Sequence, residues 1–179
     1  MDRNIILEKL CQNVRQIYKI KYTAWQDDNL TDKDKQILES EANQGAEFDK
    51  LNLKQNLHNS YKAGKAFTIV KKIHNARIVI LTEDINQKFP WTTWFYIFQW
   101  MGLPTTGTLW QIYLYSSMVE RVLPASGPIG AEHLNGGYTY PCNSDCIVIY
   151  RYEEATRVLI HELLHASCTD DHNKIIEHK

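Results

Sequence analysis

Val158-Leu159-Ile160-His161-Glu162-Leu163-Leu164-His165-Ala166 decides how this chain is read. Residues four apart on a helix lie one above the other on the same face. His161 and His165 therefore present two imidazoles that reach one metal ion at about 2.0–2.1 Å. Glu162 lies beside the open coordination position, where it can take a proton from a bound water. Val158, Leu159, Ile160, Leu163, Leu164 and Ala166 put apolar side chains on nearly every side, the pattern of a buried helix. Inside it His161, Glu162 and His165 would each cost about 1–3 kcal/mol if unsatisfied, and a metal removes that cost. The alternative is a core helix whose histidines bond to backbone carbonyls. Upstream, Tyr152-Glu153-Glu154-Ala155-Thr156-Arg157 opens the helix, with acidic residues expected in its first turn.

The 179 residues suit one domain with a helical extension, and 44% hydrophobic and 11% aromatic content is ample for a core. A net charge of -1 gives no global pull toward nucleic acid or membrane. Lys62, Lys65, Lys71 and Lys72 read as a solvated helix face rather than a nucleic-acid site. Met1-Asp2-Arg3-Asn4 leads into an amphipathic helix, not an apolar signal core, so a cytoplasmic setting with reduced Cys11, Cys142, Cys146 and Cys168 is expected. Cys142-Asn143-Ser144-Asp145-Cys146 reads as a reduced local hairpin, with a disulfide as the second alternative. Cys168 reads as a buried inert thiol. From Phe89 to Val119 no side chain is charged. Gly102, Pro104 and Gly107 break this stretch, and Trp94–Met101 falls short of the about 20 residues a membrane span needs. Core structure is expected there.

Along the chain, residues 4–24 show apolar residues at helical spacing. Thr31 is an N-cap ahead of Asp32 and Asp34, and a second helical region runs toward Lys65, weakened by Gly45 and Gly64. Arg77–Thr82, Thr108–Ser116 and Cys146–Tyr150 read as strands. Pro90 opens a helix over Trp91–Met101 that Gly102 ends. Trp110, Ile112 and Leu114 are expected on one sheet face, Tyr113 and Tyr115 on the other. Asn135-Gly136-Gly137 is a turn signal. The expected class is α+β: a helical N-terminal section over 1–72, then a domain over 73–179 with a small, mostly antiparallel sheet and a buried metal-binding helix.

A catalytic zinc needs a third protein ligand and one open position. Asp171 is the first candidate, with His172, Asp170 and Glu177 as alternates. His161-Glu162-Leu163-Leu164-His165 resembles the motif of the zincin metallopeptidases. Asp171 stands where metzincins carry their third ligand. Asp171-His172 is similar to the Asp-His pair of the snapalysin group, in which that aspartate binds zinc. Spartan-like and WLM-type proteases carry a third histidine nearby instead. Metzincins place glycine three residues after the second histidine; this chain has Cys168, which meets a steric penalty at positive φ, so the ligand choice stays open. Asn135-Gly136-Gly137-Tyr138-Thr139, Ile147–Glu154 and Val158–Glu162 together resemble zincin-like proteins of large DNA viruses.

The resemblance implies a hydrolase: a zinc metalloprotease, an endopeptidase rather than an exopeptidase, with one Zn2+ per chain. It would cut protein or peptide substrates by a zinc-activated water with Glu162 as general base. Tyr138, Tyr140, His172 and His133 are candidate oxyanion donors, and the strand at 146–150 is a candidate edge for substrate pairing. The alternative is a non-catalytic zinc-stabilised binding or structural protein with a zincin-like fold. A third reading is an effector protease that recognises a partner through residues 1–72. If viral, it would act in the host cytoplasm or the virion.

Overall fold

Ala76-Arg77-Ile78-Val79-Ile80-Leu81-Thr82 is buried along its whole length, as expected of a β-branched strand covered on both faces. The computed structural model describes residues 3–44 and 49–168. In chain order the elements are α1 (Arg3–Ile17), β1 (Gln26–Asp27), α2 (Asp32–Asn43), α3 (Leu53–Lys62), β2 (Phe67–Lys72), β3 (Ala76–Thr82), α4 (Trp91–Met101), β4 (Trp110–Tyr115), α5 (Ala131–Leu134), β5 (Gly137–Thr139), β6 (Ile147–Ile149) and α6 (Ala155–Ala166). The class is α+β, as the sequence predicts. One six-stranded sheet runs in the order β1-β2-β3-β4-β6-β5. The two central pairings, β3 with β4 and β4 with β6, are parallel. The other three, β1 with β2, β2 with β3 and β5 with β6, are antiparallel.

Strand alternation splits the core in two. Ile78, Ile80, Trp110, Ile112, Leu114, Ile147 and Ile149 pack against Trp94, Phe95 and Phe98 of α4 and Leu159 and Leu163 of α6. On the other face Val79, Leu81, Tyr113, Tyr115 and Val148 meet Leu38 and Ala42 of α2 and Leu53 and Leu57 of α3. The expected division of β4 is therefore found. Of the uncharged stretch, Phe89, Trp94, Phe95, Phe98 and β4 are core, whereas Trp100, Leu103, Met118 and Val119 are exposed; among the described residues no helix is long and apolar enough to cross a membrane.

The N-terminal section departs from the expectation. Residues 1–72 are not helical throughout, because β1 and β2 within it form one side of the sheet. Phe67-Thr68-Ile69-Val70 is a strand-forming run whose signal is masked by the lysines that follow. Lys71 and Lys72 thus belong to a strand, with Lys71 Nζ 2.7 Å from Asp27. The second helical region is two helices, α2 and α3. The acidic pair also shifts: α6 begins at Ala155, so Glu153 and Glu154 precede its first turn.

Two polar devices fasten the layers. Thr31 caps α2 in a full capping box with Asp34. Both Asp34 oxygens also take hydrogen bonds from the Arg77 guanidinium, at 2.8 Å each, and Tyr113 donates to Asp34 at 3.1 Å. Burial alone would raise the Asp34 carboxyl, but these donors outweigh it and hold its pKa at about 2. At the other device, buried Asn75 donates to the carbonyls of Phe98 and Gly102, closing the C-terminus of α4.

Asp34→Ala leaves the buried Arg77 without its bidentate partner. It should destabilise the protein by about 3–5 kcal/mol, measured by urea unfolding at pH 7.

Candidate metal centre

β6 passes the chain through Arg151–Glu154 into α6. Leu159, Leu163 and Ala166 of α6 face the sheet, and Trp94 Nε1 donates to Thr156 Oγ1 at 2.9 Å. The helix is not buried all round, contrary to the expectation. Arg157, His161 and Leu164 are exposed and His165 is half-buried; of the three motif residues only Glu162 is buried. The sheet narrows to the three-residue β5 beside α6, leaving a stripe of the helix that the described sheet does not cover.

That stripe is one wall of a cleft of about 530 Å³, and β5 with its flanks is the other. Gly136 and Gly137 make this approach possible. A Cβ on Gly137 would stand 2.6 Å from both the Val148 carbonyl oxygen and a methyl of Val158, and one on Gly136 would stand 2.9 Å from Val158. The pair is therefore a close-packing device rather than the expected turn. The exposed strand edge is β5 and not the strand at 146–150, because β6 is paired on both sides.

Within the cleft the Nε2 atoms of His161 and His165 face each other at 3.1 Å. Two imidazoles holding one tetrahedral ion at 2.0–2.1 Å would have their nitrogens about 3.3 Å apart, so this pair fits a shared zinc. Glu162 lines the same cleft. Burial pushes its carboxyl up from an ordinary 4.5 to about 7, with His165 pulling weakly the other way. Among the described residues no third His, Cys, Asp or Glu joins the pair in a metal-holding group. Asp170, Asp171, His172 and Glu177 lie outside the described residues.

The other predicted donors are dispersed. Tyr138 has its neighbours on the sheet face opposite α6, where its hydroxyl donates to Glu41 Oε2 at 2.5 Å and accepts from Lys54 Nζ at 2.6 Å. Tyr138 lines the cleft, while its hydroxyl is engaged by Glu41 and Lys54. Tyr140 is half exposed beyond the end of β5. His133 Nδ1 accepts from the Gly130 amide at 2.8 Å. Arg157 and Glu154, which the motif did not flag, do line the cleft. Arg157 was legible in principle, lying one helical turn before His161.

The cysteines correct the expectation most. Cys142 and Cys168 form a disulfide, with Cα atoms 4.7 Å apart, while Cys11 and Cys146 are free. The bridge closes 26 residues, a pairing hidden from the C-x3-C spacing. It ties the loop after β5 to the end of α6, where the Cys142 amide also donates to the His165 carbonyl at 3.1 Å. The expectation of reduced thiols is thereby corrected for Cys142 and Cys168. Cys168 takes the left-handed conformation at φ 59°, the turn that metzincins assign to glycine, as does Cys142 at φ 59°. Burial, chiefly, pushes the Cys146 thiol up to about 12, with Glu41 adding to the effect.

Because the folded chain keeps the Glu162 proton to higher pH than the unfolded chain, metal-free protein loses stability as pH rises from 4.5 to about 7. Glu162→Gln should relieve up to about 2–3 kcal/mol at pH 8 and almost nothing at pH 4, read by urea unfolding with a chelator present. No protein-family model, curated protein or solved structure matches the chain.

Proposed function

We propose that the chain is a zinc-dependent metallopeptidase that cuts within extended polypeptides. The supporting observation is the meeting, in one open cleft, of two facing imidazole nitrogens, a buried carboxyl and a strand edge that, among the described residues, no other strand pairs. His161 and His165 would hold the ion. Asp171 is the first choice for third ligand, with His172, Asp170 and Glu177 behind it. Zinc, when bound, supplies a Lewis acid for the scissile carbonyl and an acidified water.

The chain's own residues supply the rest. β5 offers main-chain donors and acceptors to an extended peptide, which fixes the peptide against α6. Glu162 accepts a proton at a carboxylate oxygen and returns it to the leaving amine. A pKa near neutrality suits both halves of that exchange. The apolar wall of Val158 and the close-packed glycines limit water around that carboxyl, the same burial that raises it.

Metal analysis of wild type beside Glu162→Gln tests this reading. About one zinc per chain is expected in both. Hydrolysis of denatured casein should fall about 10²–10⁴-fold in Glu162→Gln alone. His161→Ala should lose the metal as well as the activity. Stoichiometric zinc without hydrolysis of any unfolded protein would move the assignment to a zinc-stabilised binding protein.

A further inference from the structure

We infer that the cleft selects substrates with an acidic residue just C-terminal to the scissile bond, recognised by Arg157. The inference rests on the metallopeptidase reading and names its substrate class.

Arg157 and His161 are four residues apart on α6 and line the same cleft. A helical turn rises about 5.4 Å, one to two residues of an extended peptide at about 3.3 Å each. The guanidinium therefore stands one or two substrate positions from the metal pair.

Arg157 shares its carboxylate partner with Arg121. Glu154 is 2.6 Å from Arg157 through one oxygen and 2.6 Å from Arg121 through the other. Arg121 is the sheltered partner, its side chain 14% exposed against 73% for Arg157. A single carboxylate thus serves two guanidinium groups. An exposed ion pair such as Glu154–Arg157 contributes little in water, so Arg157 can turn to a substrate carboxylate while Arg121 keeps Glu154 neutralised.

Direction follows from the strand. Gly137 at the start of β5 abuts Val158, and Cys142 beyond its end bonds to His165. β5 thus runs in the same sense as α6. A peptide that pairs antiparallel to β5, the sense in which β5 pairs with β6, enters past His165 and leaves past Arg157, which puts Arg157 on the C-terminal side of the cut.

Two measurements test this on the zinc-loaded full chain. In the first, wild type digests a chymotryptic peptide mixture, which keeps internal Asp, Glu, Lys and Arg, and mass spectrometry reads the cut sites. Asp and Glu should be enriched about five-fold at the first or second position after the cut, and Arg157→Glu should replace them with Lys and Arg. In the second, Glu162→Gln protein binds fluorescein-labelled (Ala-Glu)4 and (Ala-Gln)4 peptides at low salt. The acidic peptide should bind about five-fold more tightly, and Arg157→Glu in that background should abolish the difference. Cleavage without acidic enrichment, or an enrichment that survives Arg157→Glu, overturns the inference and leaves the peptidase standing. Arg157-dependent acidic binding without any cleavage leaves the recognition standing and removes the peptidase. Arg157 is exposed, so matched unfolding curves establish that the variants fold.

Discussion

The cleft depends on how closely a strand can lie over a helix. β5 rests on Val158 with separations that leave no room for a Cβ at Gly137 and almost none at Gly136. Any larger residue would lift the strand from α6 and open the wall that shelters Glu162. Among the described residues, the outer edge of β5 beside the imidazole pair has no strand paired to it. A local steric allowance thus sets the width of the cleft, the burial of its carboxyl and the position of the sheet edge beside it.

The rest of the molecule holds β5 there. From the far face of the sheet, Tyr138 is gripped by Glu41 of α2 and by Lys54 of α3. Lys54 also donates to the carbonyls of Glu41 and Gln44 at the end of α2. Desolvation lowers the Lys54 ammonium, while Asp49 and Glu41 oppose that shift. At the other end the Cys142–Cys168 bridge fastens the strand's exit to the end of α6. Helices α2 and α3 are therefore a supporting layer for the cleft wall. The two strands of the same section, β1 and β2, extend the sheet at its opposite side.

Much of this was legible in the residues. The β-branched run over 77–82, the alternation in β4, the Thr31 cap and the helix ended by Gly102 are local patterns, and each appears where spacing and propensity put it. The strand β2 was hidden because Lys71 and Lys72 follow its apolar run directly. The burial of the motif helix was overstated because a helix apolar on most sides can still meet an open edge. Tyr138 looked available from its position before the sheet's last strand, yet strand alternation sends its ring to the opposite face.

By itself the sequence determined the α+β class, the position of the motif helix and the side-by-side stacking of His161 and His165, since these follow from periodicities of 3.6 and 2 that need no distant partner. Tertiary structure alone decided that Glu162 is buried while His161 is exposed, that β5 rather than β6 is the free edge, and that Cys142 bonds to Cys168 rather than pairing within its own loop. Those outcomes depend on which surfaces the sheet order brings together. Contacts between residues far apart along a chain leave no periodic trace in it.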